Sequence, residues 1–298
     1  MRAAALVLLC AATGAAQSLW HAPAKVEIAA PKPPFTFLRE DSSGTQPKLF
    51  AKDANGATWN VKFGYEVHNE SFCWRIVTAC GYFAEPSFYI AEGQFEGYRP
   101  LARHSDSVRA DGHFTAGRFQ YRDPELKFLE SRNWRWDRPP FAGTKELNGL
   151  KILIMLLSNW DNKDARVGRG GPNTAEFDKG GKRIAAFTDW GSGMGRWGSQ
   201  PGTNSNWNCA DFTAQTPEFV KGVEHGSVVF GWEGAINDGF RTGIPPAHVA
   251  WLMGYLGKLS DVNLRAGLKA AGGSEGDVDC FARALRARIE QLGRVAGT

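Results

Sequence analysis

Two aspartates, each set just past an apolar run, are the residues of this chain best placed to do chemistry. Asp161 lies in Leu157-Ser-Asn-Trp-Asp161-Asn-Lys163-Asp164, and Asp189 lies in Phe187-Thr-Asp189-Trp-Gly191, 28 positions further on. One carboxylate at the end of a buried helix and a second at the end of a strand is a layout that phosphoryl transfer uses. One positions the acceptor hydroxyl and the other holds a magnesium ion. Aspartate also caps helices and fills turns. The pair therefore gains meaning only if the chain supplies the other parts of such a site.

Those parts are a backbone-rich loop over the phosphates and a cation held near them by an acid. Ser42-Ser-Gly44-Thr-Gln46-Pro-Lys48 lies between two strand-like runs and can form the loop. Lys62 lies in the next strand between Val61 and Phe63, and Glu70 about one turn into the helix that follows. A lysine on an apolar strand is by itself commonly edge decoration. The order of loop, lysine, glutamate and two aspartates along the chain is the stronger signal.

Along that order the sequence resembles a family. Ser43-Gly-Thr-Gln-Pro-Lys48, Trp59-Asn-Val-Lys-Phe63 and Asn69-Glu-Ser-Phe-Cys-Trp-Arg75 through Ala79-Cys-Gly81 are similar to the N-lobe of the HipA-type serine/threonine kinases. These share the protein-kinase-like fold with phosphatidylinositol kinases and secretory-pathway kinases. The resemblance runs from about Phe35 to Ala91 and resumes from Leu147 to Gly195. It implies an α+β, bilobal protein-kinase-like fold, with a β-rich N-lobe carrying one helix and a mainly helical C-lobe. It also implies ATP and Mg2+ as cofactors. Carried over, Gly44 and Lys48 belong to the phosphate loop, Lys62 to the phosphates, Glu70 to Lys62, and Asp189 to the metal. The family's catalytic loop reads Asn-x-Asp-Arg-His, with an Asn five residues after the Asp. Asn159-Trp-Asp161 agrees, but Asn162-Lys163 replaces Arg-His and Arg166 takes the fifth position. Lys163, two after the Asp, resembles instead the ordinary protein-kinase loop, where that lysine approaches the transferred phosphate. The second metal ligand must then come from elsewhere; Asn173 is the first candidate and Asp164 the second.

The elements that must position these residues follow from patterning. Phe35–Leu38, Lys48–Ala51 and Thr58–Phe63 read as strands, with a hairpin turn at Asn55-Gly56. Helical spacing begins at Glu66 and ends at Gly81, and Phe88–Ala91 is another strand. Residues 97–143, rich in charge and with little periodicity, read as an irregular connector with short elements. Thr144 caps a helix running to Ser158 that is apolar almost all round, which places it at the centre of a core. Residues 168–173 form a Gly-rich loop, 183–188 a buried strand, and 246–258, 260–271 and 276–292 helices. The domain reading is a signal peptide (1–17), a Pro-rich leader (18–34), an N-lobe (35–96) and a C-lobe (97–298). Gly191-x-Gly193-x-Gly195 follows a strand but opens no helix, so it is not read as a dinucleotide fingerprint. The scattered histidines (His68, His104, His113, His225, His248) read as surface or structural.

Composition sets the outer bounds. At 43% hydrophobic and 22% charged the chain is an ordinary globular one. The 11 tryptophans read mainly as core and groove-lining residues, with a sugar- or nucleobase-stacking surface as the sharper alternative. Met1-Arg2, the apolar run from Ala3 to Ala12 and the small residues around Thr13–Gln17 match an export signal, placing the protein in the periplasm or outside the cell. That segment is too short to span a bilayer well, and no later apolar run is as long. Removing it takes Arg2 away, so a formal charge of +4 becomes +3. The basic residues are scattered, which gives no footprint for nucleic acid. Four cysteines remain, with three pairings open to them. Cys73 and Cys80 would lie about 10 Å apart along one helix and so cannot pair with each other. The reading is a phosphotransferase moving the ATP γ-phosphate to a hydroxyl of a protein, sugar or lipid head group. The alternative is a pseudokinase that binds without transferring.

Overall fold

The computed structural model describes residues 28–44, 46–103, 106–130, 132–167, 171–198, 200 and 202–297. The expected signal peptide, the first part of the Pro-rich leader and residues 168–170 of the Gly-rich loop lie outside the described residues. The protein is a mixed α+β structure.

Five strands close into a barrel: β1 (Phe35–Glu40), β2 (Lys48–Lys52), β3 (Thr58–Lys62), β4 (Ser87–Glu96) and β5 (His113–Tyr121), in the order β1-β2-β3-β5-β4. The turn between β2 and β3 is set locally. Asp53 accepts the backbone N–H groups of Asn55 (3.0 Å) and Ala57 (2.9 Å), while Gly56 takes the left-handed conformation the turn requires. A short parallel pairing of β1 with β4, Phe35 beside Phe95, closes the ring. Phe35, Leu49, Ala51, Trp59, Val61, Phe63, Phe95, Phe114 and Phe119 fill its interior. Side chains alternate along a strand. With Leu49 and Val61 inward, Lys48 and Lys62, which face each other across β2 and β3, point outward; Arg118 lies opposite Lys62 on β5.

Strand β5 corrects the expectation that residues 97–143 are an irregular connector. It pairs with β4 from His113 to Gln120 and with β3 from Arg118 to Tyr121, so the barrel runs past residue 96, the expected boundary. The strand escaped notice because its apolar phase is broken. Phe114 and Phe119, five apart, both turn inward, which strict alternation forbids. The left-handed backbone at Ala116 changes the phase between them.

Helix α1 (Val67–Ala79) joins β3 to β4. Its apolar residues Phe72, Cys73, Ile76 and Val77 belong not to the barrel interior but to a second, larger core. That core is built on α2 (Lys145–Leu156), α3 (Cys209–Gln215), α4 (Pro246–Leu256), α5 (Asp261–Ala270) and α6 (Glu275–Ala296). As the all-round apolar pattern requires, every residue of α2 from Leu147 to Leu156 is buried, and Thr144 caps it by accepting the Leu147 N–H. Capping boxes at Ser260 and Ser274 start α5 and α6.

Strands β6 (Lys127–Phe128), β7 (Thr174–Lys179) and β8 (Lys182–Phe187) form a small antiparallel sheet, and β9 (Val220–Glu224) with β10 (Ser227–Phe230) a hairpin. A disulfide joins Cys209 on α3 to Cys280 on α6, while Cys73 and Cys80 are free and buried. The aromatic richness is largely core, since Trp59, Trp134, Trp136, Trp190 and Trp232 are all buried. Among the described residues no helix is long and apolar enough to cross a membrane.

Candidate functional site: an acid and lysine cluster beside an aspartate turn

Lys62 ends β3 pointing away from the barrel interior and meets α1. Its ammonium donates to Glu66 Oε2 (2.8 Å) and pairs with Glu70 Oε1. The other oxygen of Glu70 forms an ion pair with Nε of Arg118, which is wholly buried. Glu70 is thus bridged by two cations from neighbouring strands. The expected Lys62–Glu70 pairing is present in the structure.

Asp189 follows β8 and joins this group. Its carboxylate oxygen lies within 4.8 Å of one oxygen each from Glu66 and Glu70, a set of three carboxylates able to hold a cation. Burial opposes the charge of Lys62, but Glu70, Asp189 and Glu66 outweigh it and hold the ammonium well above its ordinary range. Burial would likewise raise Asp189. Lys62, the Gly191 N–H donated to Oδ1 (2.9 Å) and Lys163 together bring it below the usual carboxylate value. Glu66 goes the other way: burial, with Asp189 and Glu70 as like charges, raises it despite Lys62.

The glycines after Asp189 are there for close approach. A Cβ on Gly191 would stand 2.9 Å from atoms of Glu66 and Glu70, and one on Gly193 2.9 Å from the Leu157 carbonyl. Asn69 of α1, fully buried, donates to the carbonyls of Gly191 (2.6 Å) and Gly193 (2.8 Å), fastening α1 to this segment. Trp190 is buried against Phe187.

The aspartate turn leaves α2. Ser158 takes a left-handed conformation, φ 47°, and the run that follows is pinned residue by residue. Asn159 donates to the Asp189 carbonyl (2.8 Å), which ties the two aspartate segments together. Asn162 exchanges hydrogen bonds with the backbone of Ile236 (2.8 and 2.9 Å). Asp164, fully buried, accepts from the Trp136 N–H (2.7 Å) and from Arg166 Nη2 (2.8 Å). With these members turned inward, Asp161 and Lys163 keep 17% and 20% side-chain exposure and pair at 2.7 Å. Asn173 precedes β7; its amide donates to the Asp161 carbonyl (2.6 Å), and its own carbonyl accepts from Thr188, the neighbour of Asp189. The amide NH2 being engaged, Oδ1 is the Asn173 atom left for a cation. Asp164 has no such freedom, because Arg166 and Trp136 occupy both its oxygens.

At the other edge, Gly44 is left-handed (φ 61°), and a Cβ there would stand 3.3 Å from Lys48 Nζ. Lys48 donates to Ser43 Oγ (3.0 Å) and lies 3.8 Å from Asp41. Burial, with Lys62, Arg118 and Arg122 as like charges, lowers it despite Asp41.

The structure therefore brings Lys62, Glu70 and Asp189 into one cluster, with Lys163 acting electrostatically on Asp189 and Lys48 beside Lys62. Asp161 and Asn173 adjoin it through the turn. Sequence reading missed Glu66, Arg118 and Asn69. Glu66 was legible as an acid four residues after Lys62, at the start of α1. Arg118 lay in the stretch whose strand character was hidden. Two of the described histidines make structural contacts: His68 stacks between Tyr89 and Trp207, and His248 accepts from Asn148 (2.9 Å).

No family model and no curated protein matches the sequence. Among solved structures the chain is similar to the Golgi casein kinase, at 11% identity and a TM-score of 0.43 over 89% of this chain and 73% of that one. It is similar also to the Golgi casein kinase with Mn/ADP bound (11%, 0.44, 89% and 74%). A third likeness is HipA from a Shewanella oneidensis MR-1 toxin–antitoxin complex with HipB and operator DNA (14%, 0.33, 93% and 70%). HipA is the type to which the sequence motifs pointed. These are distant likenesses of fold, and only the chain's own geometry bears on its chemistry.

Proposed function

We propose that this chain is an ATP-dependent, kinase-like phosphotransferase acting on a hydroxyl acceptor. The observation that carries the reading is the convergence of Lys62, Glu70 and Asp189, with Asp161 and Lys163 next to them. In this reading the barrel with α1 is the N-lobe, extended to Tyr121, and the helical core is the C-lobe. The loop at Gly44 and Lys48 covers the phosphates, and Lys62, steadied by Glu70, neutralises them. The oxygen donors of Asp189, Asn173 and Glu66 are of the hard type that suits Mg2+, while both oxygens of Glu70 are held by Lys62 and Arg118. Magnesium bound there would neutralise charge on the β- and γ-phosphates.

Asp161 orients the acceptor hydroxyl and takes its proton as the oxygen bonds to the γ-phosphorus and the bond to the β-phosphate oxygen breaks, releasing ADP. Lys163, between Asp161 and Asp189, offsets charge on the transferred group. Such catalysis is mostly positioning and charge neutralisation. We place the protein outside the cytoplasm: the N-terminal pattern supports this, as does the Cys209–Cys280 disulfide, a feature of oxidising compartments. Sequencing the N-terminus of the mature protein checks it, with a start near residue 18 expected.

Thermal shift with ATP and saturating magnesium tests the central claim. Wild type is expected to be stabilised and Asp189→Ala not. Stabilisation of wild type without any phosphate release or transfer would leave a nucleotide-binding pseudokinase. No stabilisation at all would end the nucleotide reading.

A further inference from the structure

Arg288 on α6 is 3% exposed, and among the described residues no carboxylate pairs with it. Its hydrogen bonds to the described residues go to neutral oxygens: Nη1 to the Leu156 carbonyl (2.8 Å) and Ser158 Oγ (2.8 Å), and Nη2 to the Phe212 carbonyl (2.7 Å). Its guanidinium lies 3.5 Å from the centre of the Phe212 ring. Burial pushes it down to about 9, which still leaves it a cation at neutral pH. An unpaired buried charge is costly, and an apolar side chain of similar size would fill the space without that cost. What the charge does locally explains its presence.

Leu156 supplies one of the orphan carbonyls at the C-terminus of α2, where a cation is favoured. Ser158 holds a left-handed conformation uncommon for a residue with a side chain. The chain runs directly from there into Asn159, which holds the Asp189 carbonyl, and into Asp161. The third anchor, Phe212, sits on α3, which the disulfide ties to α6. α6 thus braces the turn from behind, at a point three residues before Asp161.

We infer that Arg288 is a positioning residue: by fixing the end of α2 and the Ser158 turn, it sets Asp161 in register with Asp189. This rests on the phosphotransferase reading, and acts through the turn without touching substrate.

The test compares wild type, Arg288→Lys and Arg288→Met in the full chain. ATP turnover is read as phosphate release to water, and ATP affinity by magnesium-dependent thermal shift. Arg288→Met is expected to lower kcat roughly 10- to 100-fold, the scale of a small misplacement, with ATP affinity held within about twofold. Arg288→Lys, retaining a cation, is expected to restore part of kcat. Wild-type kcat in Arg288→Met overturns the inference, as does a loss of kcat and affinity together in step with melting temperature. Should Arg288→Met not fold, Arg288→Lys decides: a reduced kcat at unchanged affinity supports the inference, and unchanged kcat overturns it. If wild type neither releases nor transfers phosphate, the phosphotransferase reading fails separately. A crystal structure of the variant that folds then decides: Ser158 leaving the left-handed region supports the brace, and an unchanged 157–163 segment overturns it.

Discussion

The two halves of the site are held by different means. On the barrel side Lys62, Glu66, Glu70, Arg118 and Asp189 are positioned by one another's charge. On the helical side the turn from Ser158 to Asp164 is positioned mainly by hydrogen bonds to carbonyls and amides, with Arg288 behind it. A charged network responds to an incoming anion or cation, because every member's partner is also a potential ligand. Neutral backbone bonds have no such competitor. The contrast assigns adaptation to the ligand-holding half and preorganisation to the half that would meet the acceptor.

The largest effects should separate the halves by kind. Asp161→Asn is expected to cost about 10²- to 10⁴-fold in transfer rate while keeping magnesium-dependent ATP binding, since it removes the proton-accepting carboxylate and its pair with Lys163 but leaves Lys62, Glu70 and Asp189 in place. Asp189→Ala should lose both. Parallel kinetics and thermal shift on the two variants check this, and equal loss of binding in both would erase the distinction.

Next in size is Glu70→Gln. It takes from buried Arg118 the carboxylate it pairs with and leaves Lys62 with Glu66 and Asp189, so a loss of about 3 kcal/mol is expected in urea unfolding. Asn162→Ala on the helical side removes neutral bonds only, and about 1 to 3 kcal/mol is expected. A larger loss there than at Glu70 would reverse the comparison. Cys280→Ser tests the scaffold behind the helical side. Opening a bridge between residues 71 apart is expected to cost about 2 to 4 kcal/mol.

The smallest effect is a pH dependence confined to the charged half. Glu66 is raised in the folded protein above its ordinary value of 4.5, so the folded state binds the extra proton in the window just above that pH. Stability should therefore fall as pH rises through it. Glu66→Gln should abolish that fall, as measured by denaturant unfolding across the same window. Asp189 is lowered instead, so its share of stability is present above 3.8 and is lost only as pH drops further.

Much of this was legible in the sequence. The Asn55-Gly56 turn, the all-round apolar α2 with its Thr144 cap and the three C-terminal helices follow from local chemistry, because turn residues, caps and periodicity act over a few positions. The Lys62–Glu70 pair was readable from its order after the loop. β5 was not, because one left-handed residue at Ala116 breaks its alternation and only its neighbours β3 and β4 supply the missing information. Arg118 went unread with it.

The sequence by itself thus determined the elements and the types of group available for chemistry. Tertiary structure decided their company. Arg118 meets Glu70 because β5 pairs with β3, and Asp164 is removed from the ligand set because Trp136 and Arg166 close on it. Ser158 is braced because α6 returns 130 residues later to its side. These contacts are long-range, and no local preference encodes which distant residue will arrive.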